Sequence, residues 1–435
     1  MSYESTVVLS KAKNLIWEAR NMNEVRNIIV GIEIGEKTSQ ICYYDRSENQ
    51  PVPLNITGKA TGTFPTYLSK KVGEEQYHFG TEAEYFGMHR NEILIDNLYD
   101  ICKSNTAVAI DEKLVSPAVL LEKFVGGALA MLGVSDVAKS IRAVMITVPK
   151  INKALVANVK GVGELLGFAD RQLLLQDYNE SFYYHTMCQK LELSSRKVAL
   201  FNIEKEAAAF GELDVRKQTK PALVVVKRGT QIRLSEDAIS RDEEFYDFAK
   251  HSLGEDAYSS VFIIGNGFDK SWANKSIPLL CRHQRPVFYV NNLYCKGACY
   301  AAKEKVEDKA LKEYLFAGPD LVKVNIGMDI VKSGILSYYP LIEAGVNWYE
   351  AYSEVEILLN GVAELVFTTK RMENGDKNRC VMALPNLPSR PPKATRLSVK
   401  MEFESATCCN ITVTDLGLGE FYQASGLVWQ EKMMC

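Results

Sequence analysis

The sequence lacks several features that would assign it to a class of protein at once. No stretch of its 435 residues approaches the ~20 consecutive apolar residues that a membrane span requires. There is no basic run, and the net charge of −3 does not favour nucleic-acid binding. Residues 1–27 have no unbroken apolar core of the kind found in signal peptides. We therefore expect a cytoplasmic protein that binds neither a membrane nor nucleic acid.

The ten cysteines are not spaced in a pattern that predicts a set of disulfide bonds. Most lie within apolar runs, which indicates reduced thiols. Cys281, His283, Cys295 and Cys299 are close enough in sequence to suggest a zinc site. Their spacing, C-x-H-x11-C-x3-C, matches no common zinc motif. The segment instead predicts a strand followed by a helix of small residues, and we expect no metal.

Length and patterning predict more than one compact unit. The hydrophobic content of 47% and charged content of 24% are typical of a soluble globular protein. Residues 1–27 mix charged and apolar residues at helical spacing and predict an N-terminal helix. Residues 28–320 show the order β-β-α-β-α twice, which predicts two related α/β halves. Residues 321–435 alternate polar and apolar residues between turn signals, which predicts a separate all-β sandwich.

Several segments, in this order, resemble the DnaK-type heat-shock chaperones of the actin-like ATPase superfamily. They are "AVMITVPKINKALVANVKGVGELLGF", "LVKVNIGMDIVKSGILSYYPLIEAGVNW", and "LPNLPSRPPKATRLSVKMEF" followed by "NITVTDLGLGE". The resemblance implies a two-lobed ATPase fold over residues 28–320, with a nucleotide cleft between the lobes. It also implies a peptide-binding β-sandwich over residues 321–435.

The stretch "VGIEIGEKTS" resembles the first phosphate loop of that family at Gly31 and Gly35. Glu33 stands where the family has the Asp that acts near the metal-bound water. Glu36 and Lys37 stand where it has two threonines that contact phosphate and metal. A carboxylate about 4 Å from a phosphate charge costs roughly 4 kcal/mol at an effective dielectric of about 20. Lys37 would offset part of this cost if it faced inward. A tight hairpin turn with solvated charges is the interpretation that we favour.

The stretch "FNIEKEAAAF" resembles the second phosphate loop, but its chemistry differs. Asn202 replaces the family's Asp and cannot serve as a carboxylate base. Glu204, Lys205 and Glu206 replace three glycines, whose bare main chain lets phosphate approach closely. We expect these side chains to occupy the space of the terminal phosphate, so the resemblance predicts a lost phosphate site.

The stretch "QDYNESFYYHTM" follows the same trend. Asp177 keeps a carboxylate, whereas Tyr178 departs from the family's Asn-Glu-Pro-Thr pattern. Aromatic residues replace small ones that pack between the lobes: Phe182, Tyr183 and Tyr184. They would widen or wedge the crossing between the lobes, although a plain aromatic core is the interpretation that we favour.

The segments that resemble the family's adenosine-binding loops are closer to the family pattern than the phosphate loops are. A strand leads into Gly265 and Gly267, and Gly297 with Ala298 begins a helix, as in the family. A Gly-x-Gly after a strand is weak evidence, because it also marks close packing. About sixty residues separate "FNIEKE" from "VFIIGNG", where the family places a further subdomain over the adenine.

We therefore predict a pseudo-ATPase that acts as a scaffold or binds a protein or an extended peptide, with little or no ATP hydrolysis and no cofactor. One alternative is an active ATP-dependent chaperone, in which Glu33, Asp177 and Asn202 hold Mg²⁺ through water beside ATP or ADP. Another is a structural protein that assembles head to tail.

In the β unit, a peptide would pair along a strand edge. Without a helical lid, which the chain leaves little room for, binding should be fast and weak. Alternating apolar residues are candidates for a shared peptide-binding face, although a core role is favoured: Val399, Met401, Phe403, Ile411 and Val413.

Overall fold

The computed structural model describes residues 27–54, 62–307, 309–332, 335–372 and 375–435. The N-terminal helix predicted for residues 1–27 falls, apart from Asn27, outside the described residues. The chain divides into an N-terminal unit, residues 1–316, and a C-terminal unit, residues 317–435. The division predicted from sequence lies four residues further along. In the described parts of the chain, no helix is long and apolar enough to cross a membrane.

The N-terminal unit is mixed α/β. Its strands are β1 (Ile28–Ile34), β2 (Thr38–Asp45), β3 (Gln50–Pro53), β4 (Phe64–Pro65), β5 (Leu68–Lys70), β6 (Tyr77–Phe79), β7 (Ile93–Ile95), β8 (Val108–Ile110), β9 (Lys113–Val115), β10 (Ile141–Val148), β11 (Leu173–Asp177), β12 (Lys197–Ile203), β13 (Ala207–Arg216), β14 (Ala222–Arg233), β15 (Tyr258–Ile264), β16 (Val287–Tyr289) and β17 (Tyr314–Phe316). Its helices are α1 (Gly80–His89), α2 (Leu98–Cys102), α3 (Pro117–Ala130), α4 (Val137–Ser140), α5 (Lys153–Leu165), α6 (Tyr178–Met187), α7 (Ala238–Leu253), α8 (Ser276–Leu280) and α9 (Leu293–Val306).

The first large sheet has the order β11-β10-β1-β2-β3, and β4 also pairs with β2. β11, β10 and β1 are parallel, while β2 and β3 continue the sheet as antiparallel hairpins. β1 and β10 are apolar and almost fully buried, as expected for central strands covered on both faces. Both hairpin strands predicted from "NIIVGIEIG" and "SQICYYD" are confirmed.

The second large sheet has the order β16-β15-β12-β13-β14-β17. β16, β15 and β12 are parallel, and β13 and β14 are antiparallel hairpin strands. Its first five strands therefore repeat, in order and direction, the path of the first sheet. The predicted pair of related α/β halves is confirmed at the level of strand topology.

The connections between the repeated strands differ. Residues 54–140, between β3 and β10, contain a small sheet of order β6-β5-β7, the β8–β9 hairpin and helices α1 to α4. Residues 234–257, between β14 and β15, contain α7 and its flanking turns. Helix α3 begins as predicted from its Ser-Pro start, because the Ser116 Oγ accepts a hydrogen bond from the Val119 N–H.

The C-terminal unit is all-β in its described residues. Its strands are β18 (Val324–Lys332), β19 (Ile335–Ile342), β20 (Tyr352–Leu359), β21 (Glu364–Arg371), β22 (Lys377–Ala383), β23 (Thr395–Ser405), β24 (Cys408–Asp415) and β25 (Val428–Met434). They form two antiparallel sheets, β19-β18-β21-β22 and β20-β23-β24-β25. The alternating residues considered for peptide binding are all buried, so they belong to the core: Val399, Met401, Phe403, Ile411 and Val413.

Candidate functional site

The turn between β1 and β2 is closed by its own main chain. The Gly35 N–H donates to the Thr38 carbonyl oxygen at 3.1 Å. A Cβ at Gly35 would lie 2.5 Å from that same oxygen, so the turn requires glycine. Glu36 and Lys37 are exposed. The tight hairpin with solvated charges, predicted from sequence, is confirmed.

Glu33, at the end of β1, is held by an aromatic pair. The Tyr178 hydroxyl donates to the Glu33 Oε1 at 2.9 Å. The Tyr178 ring, at the start of α6, stacks on the Tyr294 ring of α9 with centroids 3.9 Å apart and planes 11° apart. Burial raises the pKa of Glu33 to about 7, an effect that the Tyr178 hydrogen bond opposes. Glu33 is therefore a carboxyl group that titrates near neutral pH.

Charged groups near both hairpin turns act on the Tyr294 hydroxyl. Burial raises the pKa of its hydroxyl above the ordinary range, and the negative charges of Glu33, Asp177 and Glu204 raise it further. Arg228, on β14, acts in the opposite direction. Because Glu33 lies near the end of β1 and Glu204 belongs to the turn after β12, carboxylates of both hairpin regions act on Tyr294.

The turn between β12 and β13 is also closed by main-chain hydrogen bonds. The Glu204 N–H donates to the Ala207 carbonyl oxygen at 2.8 Å. The Arg241 Nη2, from α7, donates to the carbonyl oxygens of Glu204 at 2.9 Å and Lys205 at 2.6 Å. The side chains of Glu204, Lys205 and Glu206 are exposed. That they occupy a phosphate position stays a prediction.

Asn202 and the Gly265–Gly267 loop pack against each other. The Gly267 N–H donates to the Ile203 carbonyl oxygen at 2.8 Å. A Cβ at Gly265, which has φ +92°, would lie 2.6 Å from the Asn202 Oδ1. A Cβ at Gly267 would lie 2.1 Å from the Glu204 carbonyl oxygen. Both glycines are therefore required by contact with β12 and its turn, whether or not a nucleotide binds. The Asn202 Oδ1 is buried and has no hydrogen-bond partner in the described part of the chain.

Helices α6 and α9 cross in close contact at Gly297. A Cβ there would lie 2.0 Å from the Ser181 carbonyl oxygen. Phe182 and Tyr183 are buried in a core with strands of the second sheet, and Tyr184 packs beside it. The expectation that these aromatic residues widen the crossing is wrong, because they point into the core. The plain aromatic-core interpretation is confirmed.

Gly31 allows α9 to lie directly on the first sheet. A Cβ at Gly31 would lie 2.4 Å from the Cys295 carbonyl oxygen. Cys42, Cys295 and Cys299 are buried together in this contact, and the Cys42 thiol donates to the Cys295 carbonyl oxygen at 3.0 Å. Burial raises the pKa of the Cys295 and Cys299 thiols well above the ordinary range.

All ten cysteines are free thiols, and Cys281 is exposed although it follows an apolar run. His283 is exposed as well. Cys295 and Cys299 lie buried on α9, so the structure separates the environments of the four residues considered for zinc. Among the described residues, no group of three or more His, Cys, Asp or Glu side chains is placed to hold a metal ion.

A short polar chain links α6 to the second sheet. The Asp177 Oδ1 caps α6 by accepting from the Glu180 N–H at 2.8 Å, and its Oδ2 accepts from the Asn179 Nδ2 at 2.9 Å. The Arg228 Nε donates to the Asn179 Oδ1 at 3.0 Å. Asp177 therefore has a structural role at the helix start.

The structure brings most of the predicted site residues to the ends of β1, β12 and β15 and to α9. Sequence reasoning missed Tyr294 and Arg241. Tyr294 stands three residues before Gly297 on α9, a spacing that places the two on neighbouring positions of a helix surface. That spacing is the one signal that pointed to Tyr294, and nothing local pointed to Arg241.

Two family models match the chain. Residues 51–319 match the family described as "Family of unknown function (DUF5716) C-terminal". Residues 321–435 match "Domain of unknown function (DUF8552)". No curated protein matches the chain. Because the first match covers more than half of the chain, the protein belongs to the DUF5716 C-terminal family.

Proposed function

We propose that this protein is a DnaK-like pseudo-ATPase: a two-lobed, actin-like body joined to a β-sandwich that binds protein or extended peptide. The repeated strand order of the two large sheets supports the two-lobed body. The close crossing of α6 and α9 at Gly297 supports a junction between the lobes. The sequence resemblance supports the likeness to DnaK-type chaperones, and in this proposal little or no ATP is hydrolysed.

The observation that carries the loss of hydrolysis is the stacked pair of Tyr178 and Tyr294, held by Glu33. Phosphoryl transfer needs a positioned water, a metal and charge-neutralising contacts around the transferred group. Here Glu33 bonds the Tyr178 hydroxyl, and the stacked pair of tyrosine rings lies beside the first turn, where a Cβ at Gly35 would be 3.1 Å from that hydroxyl. The second turn offers exposed carboxylates at Glu204 and Glu206, which repel phosphate.

The glycine pattern does not oppose this proposal. At five glycines, an added Cβ would lie within 2.6 Å of a main-chain atom of the same unit. They are Gly31, Gly35, Gly265, Gly267 and Gly297. Contacts inside the chain therefore require glycine at all five positions. The resemblance to phosphate and adenosine loops can persist for packing reasons after nucleotide binding is lost.

Titration calorimetry with ATP, with and without Mg²⁺, tests the loss of nucleotide chemistry. We expect no Mg²⁺-dependent heat of binding at millimolar ATP and no phosphate release above the buffer rate. Magnesium-dependent binding with turnover would establish the alternative, an active ATP-dependent chaperone with altered loops.

The exposed edge strand β19 supports peptide binding by the C-terminal unit. Most of its residues are exposed, and β19 forms one edge of its sheet. Apolar side chains are concentrated on it and on the adjoining end of β18: Val331, Ile335, Leu336, Tyr338 and Tyr339. An extended peptide could add to this edge by main-chain pairing, with its apolar side chains against these residues.

Two matched substitutions test this edge. Leu336 on β19 is 68% exposed, and Val381 on β22, the opposite edge of the same sheet, is 51% exposed. Leu336→Lys should weaken binding of a fluorescent extended apolar peptide roughly tenfold. The substitution replaces the apolar contact between Leu336 and the bound peptide with a charged group. Val381→Lys should leave the anisotropy titration unchanged. Equal effects of the two substitutions, or no binding by the wild-type chain, would remove β19 as the peptide site.

A further inference from the structure

A cavity of about 180 Å³ lies in the N-terminal unit, and none of its lining residues belongs to either hairpin turn. One side of it is apolar. Phe262 of β15 and Phe288 of β16 occupy paired positions, and their rings stack with centroids 5.3 Å apart and planes 25° apart. Val290, just beyond β16, extends this wall. Phe288 and Val290 are partly exposed, whereas Phe262 is almost fully buried, so the apolar surface that the cavity offers belongs mainly to Phe288 and Val290.

The other side carries one positive charge. Lys296 of α9 lines the cavity and is half-buried. Its ammonium group has no hydrogen bond or ion pair with any residue that the structure describes, and no carboxylate belongs to the described lining of the cavity. A cation that is partly removed from water without a partner gains from a bound anion, because the attraction strengthens as the local dielectric falls.

His185 of α6 gives the cavity a neutral polar group. The residue is only 5% exposed, and its Nδ1 has no hydrogen-bond partner in the described chain. Its ring lies edge-on to Phe262, with centroids 5.5 Å apart. Burial and, to a smaller extent, the positive charge of Lys296 together lower the pKa of His185 to about 3. The imidazole is therefore neutral at physiological pH, and Lys296 supplies the charge of the cavity.

These features select the ligand by size, shape and charge. A cavity of roughly 150 Å³ holds one benzene ring, so about 180 Å³ accommodates a ring with a small substituent. The apolar wall suits a planar ring, while the unpaired ammonium suits a carboxylate.

We propose that this cavity binds a small organic monoanion that consists of a single planar ring and a carboxylate. The carboxylate lies beside Lys296, and the ring lies against Phe288 and Val290. This proposal depends on neither ATP binding nor peptide binding.

Benzoate and its neutral isostere benzamide test the charge requirement in the full chain, by ligand-observed NMR titration. We expect benzoate to bind about tenfold more tightly than benzamide, since a charge-assisted hydrogen bond replaces a neutral one. Lys296→Gln should reduce benzoate binding to the benzamide level. Lys303→Gln, on the same helix, is the matched control, because Lys303 does not line the cavity and pairs with Glu307.

The proposal is overturned if both probes bind equally, if benzoate does not bind at millimolar concentration, or if Lys296→Gln has no larger effect than Lys303→Gln. A filling variant locates the binding independently of charge. Leu193 is a partly exposed lining residue of the cavity, so Leu193→Phe should abolish benzoate binding while the melting temperature stays near that of the wild-type protein. Unchanged benzoate binding by a folded Leu193→Phe protein would place the ligand elsewhere and contradict the assignment.

Discussion

The two large sheets of the N-terminal unit follow the same strand path but are completed in different ways. The first carries a long connection, residues 54–140, with a sheet of its own, whereas the second carries little more than helix α7. The hairpin turns also differ in what fixes them. A tyrosine hydroxyl bonds Glu33 beside the first turn, while the Arg241 guanidinium bonds carbonyl oxygens of the second. One backbone path can therefore be maintained by unrelated side-chain chemistry.

The largest expected effect comes from breaking the crossing that joins the two sheets. Gly297→Ala places a Cβ 2.0 Å from the Ser181 carbonyl oxygen, so the main chain must shift, and we expect a loss of about 3 kcal/mol or more in the free energy of unfolding. Gly163→Ala, in α5, is the matched control. Its Cβ would meet only the Leu173 side chain at ordinary contact distance, 3.8 Å, so a gain of about 0.5–1 kcal/mol is expected.

Urea unfolding followed by circular dichroism measures both changes. If the two substitutions alter stability equally, the close approach of α6 and α9 is not what holds the halves together.

The next effect distinguishes the two turns. Arg241→Ala removes the donor to the Glu204 and Lys205 carbonyl oxygens, which should cost about 1.5–3 kcal/mol. Amide hydrogen exchange should accelerate in the second turn and stay unchanged in the first, where no contact is altered. Arg282→Ala, an exposed arginine of the same half, should be neutral. Faster exchange in both turns would show that they are coupled through the tyrosine pair.

The smallest effect isolates Glu33 by its pH dependence. Its pKa is raised to about 7 in the folded state from an ordinary value of 4.5, so the folded state binds the proton more tightly. Stability from this group is present below pH 4.5 and is lost as pH rises through 7. Glu33→Gln should therefore exceed the wild-type protein in stability by about 1–2 kcal/mol at pH 8, and the difference should vanish below pH 4.5.

Thermal unfolding at the two pH values checks this prediction. Glu206→Gln, exposed on the second turn, should change stability by less than about 0.5 kcal/mol at either pH. A constant difference between Glu33→Gln and wild type across the range would mean that the carboxyl group is ordinary.

Much of the fold follows from the sequence because its signals are local. The apolar run of β1, the Ser-Pro start of α3 and the glycine turn at Gly35 each act within a few residues, and each formed as expected. The candidate site depends on contacts between distant segments. Tyr178 and Tyr294 meet only after α6 and α9 have crossed, and Arg241 reads as one more solvated charge on α7 until β12 is placed beside it.

The glycines show a different limit of sequence reasoning. Gly265 and Gly267 have the pattern of a nucleoside loop, yet contact with β12 already requires them. A glycine shows only that its position has no room for a side chain. Either a bound ligand or a neighbouring strand can occupy that space. The sequence alone therefore cannot separate a retained ligand site from retained packing.

The three thiols buried between α9 and the first sheet allow the opening of that contact to be timed. Cys42, Cys295 and Cys299 are inaccessible while the helix rests on β1 and β2, so an alkylating reagent can reach them only when that contact opens. Cys281 is exposed and reacts without such opening, so its alkylation is the reference reaction. The lag between the two reactions, read by intact mass, measures how often the halves come apart in the unmodified wild-type chain.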